Sequence, residues 1–236
     1  MTRFHSFPRR IMGQSVVVKV AEDADAFLPD ARRDWINTVR ASALEVSGSP
    51  EEKLGEAHAQ LDAWLAEHDA CMKVGEVSGA GYWEAFVYCE DDLAQELFDV
   101  VDGPCQIEAD ARPDPQAAVY FEFLAPSGIE ELWVHNRRQV SRIRADVPDD
   151  ERNARLEHDF SFPSKDDRSR FADAMAREGF ELEYPPEDPE EDADEDFVLT
   201  LLRTEHLTVE QLDQLTHDLF KAAAQEAGRY HGWDYR

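Results

Sequence analysis

The chain has little positive charge. Its 236 residues include 24 lysines and arginines against 52 aspartates and glutamates, which gives a net charge of −28. A surface this negative repels phosphate backbones, so we expect no direct nucleic-acid binding. The chain also lacks an apolar run of the roughly 18–20 residues that cross a bilayer, and its start has no apolar stretch of the kind found in signal peptides. We therefore expect a cytoplasmic protein without a membrane segment.

Cysteine and enzyme signatures are scarce as well. The three cysteines, Cys71, Cys89 and Cys105, are odd in number and show no C-x-x-C spacing, which is typical of buried thiols in a reducing compartment. Glycine-rich phosphate loops, nucleophile elbows and the H-E-x-x-H zinc motif are all missing from the sequence. The eight histidines are scattered along the chain. We therefore expect no catalytic site, no metal and no cofactor.

The first half alternates strand and helix patterns. We predict strands at 14–21, 35–44, 70–77, 82–90, 104–111 and 117–124, and helices at 49–68 and 91–103. Ser49 and Glu52 have the spacing of a capping box at the start of the first helix. The middle of this half therefore runs strand, helix, strand, strand, helix, strand, with an edge strand before it and another after it.

The second half repeats this order after a helix at 129–148, whose apolar positions are Ile129, Leu132, Trp133, Val140 and Ile143. We predict strands at 155–163, 180–185, 196–204 and 229–235, and helices at 164–179 and 207–228. Ser164 and Asp167 hold capping positions in one helix, and Thr208 and Gln211 in the other. His158 falls on the apolar face of its strand, which is typical of a core histidine.

Both halves are therefore predicted to be α+β. The order of elements in each favours two helices on one face of an antiparallel sheet, the ferredoxin-like arrangement. We predict two tandem ferredoxin-like (βαββαβ) sandwich domains joined by a helix. The first domain covers 1–128, the connecting helix 129–149 and the second domain 150–236.

The most distinctive local feature is an acidic segment between two predicted strands, which we define as 187–196. Eight of its ten residues are acidic: Glu187, Asp188, Glu190, Glu191, Asp192, Asp194, Glu195 and Asp196. Like charges repel and the segment has no apolar surface, so it cannot fold on itself. It is either a solvated loop or an electrostatic docking site for a basic partner.

Large aromatic side chains crowd the end of the chain, R-Y-H-G-W-D-Y. Because tyrosine and tryptophan usually pack when they are buried, we predict that Tyr230 and Trp233 join a closing strand and hold the last helix to the sheet. The other interpretation is that they supply an aromatic anchor for a partner beside the acidic segment.

Residues 150–236 resemble the regulator of ribonuclease E activity B family. The features that carry the resemblance are a strand with paired phenylalanines, a helix that ends in Gly-Phe, an apolar strand with a charged end, and a terminal G-x-Y-x-G-W made by Gly228, Tyr230, Gly232 and Trp233. His231 stands where the family usually has an acidic residue. Residues 10–128 resemble an uncharacterised domain often found ahead of this regulator, on the stretches WINTVRASAL, YWEAFVYCE and RPDPQAAVYFEFLAPS.

The family resemblance implies a ferredoxin-like domain that is not an enzyme and that binds ribonuclease E through the arginine-rich scaffold of that nuclease, reducing RNA cleavage. We therefore hypothesise an acidic protein-interaction module for a basic partner. Two other classes stay open: an enzyme or small-ligand protein with a site at the interdomain cleft, and an RNA-binding protein that uses the arginines of helix 129–148. That arginine cluster consists of Arg137, Arg138, Arg142 and Arg144, and we favour the interpretation that it offsets nearby acids.

Overall fold

In the computed structural model the chain divides into two compact units, Met1–Pro126 (unit 1) and Ser127–Arg236 (unit 2). Each unit combines one antiparallel sheet with helices, so the predicted α+β class is confirmed. The structure describes residues 3–43, 49–79, 81–101, 105–146, 153–185, 188–189, 195–206 and 208–235.

Unit 1 contains six strands and three α-helices among its described residues. They are β1 (Phe4–Ile11), β2 (Gln14–Ala21), α1 (Ala24–Phe27), β3 (Trp35–Ala43), α2 (Pro50–Leu65), β4 (Met72–Gly79), β5 (Tyr82–Cys89), α3 (Ala94–Val100) and β6 (Cys105–Pro113). The strand order across the sheet is β1-β2-β4-β5-β3-β6. Helices α2 and α3 cover one face, where Leu61 and Leu97 pack with Val39, Ala85 and Val87.

The strand that we predict at 117–124 is wrong, because this stretch forms a π-helix, Val119–Leu124. Asp114 accepts hydrogen bonds from the backbone N–H groups of Ala118 and Val119, at 2.8 and 2.9 Å, and so holds its first turn. The fully buried Leu124 packs over β4 at Gly75, where a Cβ would lie 3.1 Å from it. The π-helix therefore covers the sheet face opposite α2 and α3.

The sequence analysis misses β1, which pairs with β2 along its whole length. Met12 and Gly13 join the two strands with φ angles of 49° and 83°. Two residues with positive φ give the tight turn that matches the twist of a hairpin. The sequence signal for this hairpin is a glycine between two short strand-forming runs. Pro8 argues against a strand in the first run, because within sheets proline is tolerated mainly on edge strands, and β1 is such a strand.

Unit 2 contains α4 (Ile129–Asp146), β7 (Asn153–Phe162), α5 (Lys165–Arg177), β8 (Glu181–Glu183), β9 (Phe197–His206), α6 (Val209–Gln225) and β10 (Arg229–Tyr235). The strand order is β10-β7-β9-β8, and each neighbouring pair is antiparallel. Phe160 and Phe162 of β7 pack against Phe171 of α5 and Leu219 of α6, so the core lies between the sheet and these helices.

Helix α4, predicted as a connector between domains, is part of unit 2. Its apolar residues Val140 and Ile143 are buried against Leu212 of α6 and Trp233 of β10. The division between the units therefore lies before this helix, at Pro126 and Ser127, and not after it. The apolar stripe was visible in the sequence, but its periodicity does not say which neighbour the stripe packs against.

Candidate functional site

Two neighbouring rows of side chains make one face of the unit 2 sheet acidic. In the first row Glu181, Leu202, Glu157 and Asp234 lie side by side across β8, β9, β7 and β10. In the second row the corresponding residues are Glu183, Thr200, Asp159 and Gly232. Because residues two apart on a strand share a face, the five carboxylates lie together. We call Glu157, Asp159, Glu181, Glu183 and Asp234 the acidic face.

The acidic face points away from the helices α5 and α6. Asp159, Glu181, Glu183 and Asp234 are exposed, whereas Phe160 on the helix side is fully buried. Arg155 pairs with Glu181 at 2.5 Å, and Thr200 donates a hydrogen bond to Asp159 at 2.7 Å. Glu157 and Asp234 lie directly opposite each other in the register of β7 and β10. The sequence analysis misses this face, although E-H-D in the alternating stretch L-E-H-D-F-S-F already put two acids on the outer side of a strand.

Asp188, one of the residues predicted to bind a partner, is paired within unit 2. Its two carboxylate oxygens accept from Arg168 at 2.6 and 3.0 Å, and Lys165 lies 3.1 Å away. The hydrogen bonds from Arg168 and Lys165 lower the pKa of Asp188 to about 2. The Arg168 guanidinium is itself buried, donates to the Val198 carbonyl at 3.1 Å, and lies over the Phe197 ring. Asp188 is therefore tied, through Arg168, to the start of β9.

The far end of the acidic segment is also partly fixed. Asp196 is exposed and accepts a hydrogen bond from Ser161 at 2.9 Å, and the Ser161 Oγ lies 2.9 Å from His231 Nε2. Glu195 is exposed. The other predicted docking residues, Glu187, Glu190, Glu191, Asp192 and Asp194, lie outside the residues that the structure describes.

Ser161, His231 and Asp196 are the residue types of a nucleophilic triad, but they are connected in the wrong order. In such a triad the serine donates to the histidine, and the carboxylate orients that histidine. Here the serine donates its proton to Asp196 instead, so the imidazole has no serine proton to remove. The arrangement is a hydrogen-bond chain that ties β7 and β10 to the start of β9.

Trp233 lies in the core and is not an exposed anchor. Its indole N–H donates to Asn136 Oδ1 at 2.6 Å, and Asn136 donates onward to Asp213 and Thr216 at 2.9 and 3.0 Å. The Trp233 carbonyl accepts from His135 at 2.8 Å. Helix α4 is thus joined to β10 and α6 through side chains that the sequence pattern does not connect.

Tyr230 is buried as well. Its hydroxyl lies 2.7 Å from Nδ1 of His158, and its ring stacks on Phe160 with centroids 4.8 Å apart. The closing-strand role predicted for Tyr230 and Trp233 agrees with this burial. As direct partner contacts they lack an exposed surface, since they are only 8% and 3% exposed.

Unit 1 contains a charged cluster beneath α2. Glu76 of β4 is buried and accepts from His58 and Lys73, both at 2.6 Å, while Lys73 also pairs with Asp62. His58, Asp62 and Glu76 have the donor types and the closeness of a metal site, with ligand atoms within 4.8 Å of one another. The Lys73 ammonium contacts all three side chains and therefore stands where a metal cation would have to bind.

Two arginines of α4, Arg137 and Arg142, make local contacts. Arg137 pairs with Asp213 at 3.0 Å and also donates to the Trp133 carbonyl at 2.9 Å. Arg142 lies 3.4 Å from Gln139 Oε1. The pairing of Arg137 with an acid of α6 is the kind of contact that the sequence analysis favours for this cluster.

The second unit is thus a small α+β unit with a buried aromatic end and an acidic outer sheet face. Residues 133–235, which form most of this unit, match the family model Regulator of ribonuclease activity B. The family resemblance that the sequence indicates is confirmed over these residues.

Other comparisons add little. No curated protein matches the chain. A solved structure titled "Crystal Structure of an Unknown Protein from Galdieria sulphuraria" is 11% identical, covers 86% of this chain and 96% of its own, and has a TM-score of 0.23. Similarity at that level carries no argument about fold or function. Among the residues that the structure describes, none of the helices is both long and apolar enough to span a membrane.

Proposed function

We propose that this protein is a non-enzymatic, cytoplasmic regulator that binds a basic segment of ribonuclease E, or of a nuclease of that type, and reduces its RNA cleavage. The observation that carries the proposal is the acidic face, which lies inside the range 133–235 that matches the regulator family. We further propose that both units are ferredoxin-like. In unit 2 the βαββαβ strands have the order 4-1-3-2, and β6-β3-β5-β4 of unit 1 repeat it.

Electrostatics favours a basic protein as the partner. The four exposed acids Asp159, Glu181, Glu183 and Asp234 lie in two neighbouring rows of the sheet. Arginine or lysine side chains of a partner would gain charge-assisted hydrogen bonds with these carboxylates. Complementary charge also raises the rate of encounter, and this contribution falls with salt.

The acidic segment extends the same charge pattern beyond the sheet. Asp188 is held by Arg168, and Asp196 by Ser161. Asp188 and Asp196 therefore both lie next to β9, which stands between the acid-bearing strands β7 and β8 of the sheet. We propose that Glu187, Glu190, Glu191, Asp192 and Asp194, together with Glu195, attract the partner and that the acidic face binds it.

The test compares two variants with equal loss of charge. The first replaces Asp159 with Asn, Glu181 and Glu183 with Gln, and Asp234 with Asn. The matched control replaces four exposed glutamates of unit 1, Glu51, Glu52, Glu56 and Glu67, with Gln. Binding to purified ribonuclease E and the rate of RNA cleavage are measured at low and high salt.

We expect the face variant to lose at least about tenfold in affinity, on the order of 1.4 kcal/mol, and the control variant to lose much less. A third variant that neutralises Glu187, Glu190, Glu191, Asp192 and Asp194 is expected to slow association and flatten its salt dependence. Equal losses of affinity in the face variant and the control variant would mean that net charge, and not the acidic face, determines binding. Absence of any binding to the nuclease by the unmodified protein would refute the proposed function.

A further inference from the structure

Two cysteines stand opposite each other at the open end of the β4–β5 hairpin. Met72 pairs with Tyr88 in this antiparallel register, so Cys71 and Cys89 occupy the next rung. Directly opposite residues in antiparallel strands have Cα atoms about 4.5–5.5 Å apart, and a disulfide spans roughly 4.4–6.8 Å. Both side chains pack in the core cluster beneath α2 and α3, and their thiols are hydrogen-bonded.

The two thiols differ in their access to solvent. Cys89 is fully buried, whereas Cys71 is partly exposed. Cys71 also lines an open cavity of about 520 Å³ together with Phe4, Lys19 and Lys73. A small reagent that enters this cavity reaches Cys71 first and finds Cys89 behind it.

The surroundings of the pair favour a thiolate at the accessible position. The hydrogen bond from Cys89 lowers the pKa of Cys71, against the effects of burial and of Glu96, and the Arg33 guanidinium lowers it further. Arg33 is held next to Cys71 because it donates to the carbonyls of Ala70 and Asp69, at 2.8 and 3.1 Å. The same hydrogen bond and burial raise the pKa of Cys89, so Cys71 is the first of the two thiols to lose its proton. Thiolate character controls the reactivity of a cysteine.

We propose that Cys71 and Cys89 form a thiol modification site for low-molecular-weight disulfides of the glutathione type. The Cys71 thiolate attacks one sulfur of the small disulfide, whose S–S bond breaks, and the leaving thiolate takes up a proton. The Cys89 thiol then loses its proton and attacks Cys71 Sγ, which releases the second small thiol. The products are a Cys71–Cys89 disulfide and two small thiols, so two electrons have passed from the protein to the reagent.

The experiment treats the full-length protein with oxidised glutathione and follows it by peptide mass spectrometry and thiol counting. In the unmodified protein we expect a Cys71–Cys89 link and a fall from three free thiols to one. Cys89→Ser is expected to trap glutathione on Cys71, because the second step is blocked. Cys71→Ser is expected to prevent the link and to react slowly at Cys89. Cys105→Ser is the matched control. In this variant the Cys71–Cys89 link should form at the same rate as in the unmodified protein.

The mapping of the unmodified protein needs no variant, so a folding defect in either serine variant does not affect it. Glutathione found mainly on Cys105, or on Cys71 without a subsequent link to Cys89, would overturn the proposal. Circular dichroism of the serine variants identifies any that are unfolded. None of these outcomes depends on binding to a ribonuclease, so this site and the proposed function stand or fall separately.

Discussion

Each unit buries an ionisable side chain on the helix-facing side of its sheet, a carboxylate in unit 1 and an imidazole in unit 2, and the two are held in opposite charge states. In unit 1 this residue is Glu76, whose side chain is 3% exposed beneath α2. In unit 2 it is His158, which is 0% exposed on β7. Glu76 has a histidine and a lysine in contact, whereas His158 has the neutral hydroxyl of Tyr230.

In both units the neighbouring groups decide the charge of the buried side chain. Burial alone would raise the pKa of Glu76, but the hydrogen bonds from His58 and Lys73 and the Lys73 charge lower it to about 2. Burial lowers the pKa of His158 to about 3, and the charge of Arg203 acts in the same direction. Glu76 therefore stays an anion and His158 stays neutral at neutral pH, although both are buried. Substitution of a partner of Glu76 should therefore destabilise unit 1, whereas a fall in pH should destabilise unit 2 first.

The largest effect is expected for Lys73→Met. This change removes the ammonium that lies 2.6 Å from the buried Glu76 carboxylate and leaves it with His58 and with Lys19, whose Nζ is 3.6 Å away. Removing one partner of a buried ion pair costs about 3 kcal/mol. The pKa of Glu76 should rise as well, because the Lys73 charge and hydrogen bond no longer counteract the effect of burial. Native-state hydrogen exchange measures the local stability of each unit separately. We expect faster exchange of β4 and α2 amides, with the amides of β7 and β9 unchanged.

The control for Lys73→Met is the double variant Lys73→Met with Glu76→Gln. The double variant removes both charges, and it should regain most of the lost stability because no unpaired charge remains buried. If the single and double variants are equally unstable, packing of the lysine stem and not its charge holds this region together. In that case the charged partners of Glu76 would not be what stabilises unit 1, and the contrast with the neutral His158 of unit 2 would not hold.

The sequence predicts most of the fold because the predicted elements have strong local signals. Strand β7 has strict alternation, and Leu156, His158, Phe160 and Phe162 are all fully buried. The π-helix at 119–124 could not be predicted in this way, because its residues are the aromatic and β-branched types that favour strands. Their helical form depends on Asp114 and on the space above Gly75, which are tertiary features.

The candidate site was less predictable than the fold. The acidic segment and the aromatic ending stand out as sequence runs, but charge alone does not say which acids are paired. Arg168, which holds Asp188, lies 20 positions away. The acidic face combines residues of three strands, β7, β8 and β10, so it depends on register, which local patterns do not specify. The hydrogen bond between Asn136 and Trp233 also links residues 97 positions apart, so local sequence patterns do not predict it.

An intermediate effect is expected from pH on unit 2. The folded state keeps His158 neutral down to about pH 3, whereas the unfolded chain takes up a proton below its ordinary pKa of about 6.5. The stability that His158 contributes is therefore lost as pH falls through this window, with a slope of about 1.4 kcal/mol per pH unit. His158→Gln should remove that slope between about pH 6.5 and 5.

The measurement for His158 is hydrogen exchange of β7 and β9 amides over this pH range, corrected for the intrinsic exchange rate. The window for Glu76 lies lower, because its stability is present above its ordinary pKa of 4.5 and lost as pH falls towards about 2. The amides of β4 should therefore respond only at the lower pH. An unchanged slope in the His158→Gln protein would mean that another group takes up the proton.

The smallest effects are expected at the helix caps, where the two units also differ. Ser164 accepts from the Asp167 N–H at 3.1 Å, and Thr208 accepts from the Gln211 N–H at 3.2 Å, both in unit 2. Ser49 of unit 1 caps α2 by position but makes no side-chain capping bond. Thr208→Ala and Ser164→Ala should each cost about 1 kcal/mol, whereas Ser49→Ala should stay within about 0.5 kcal/mol. Denaturant unfolding of the three variants checks this order, and an equal loss for Ser49→Ala would mean that its hydroxyl caps the helix in solution.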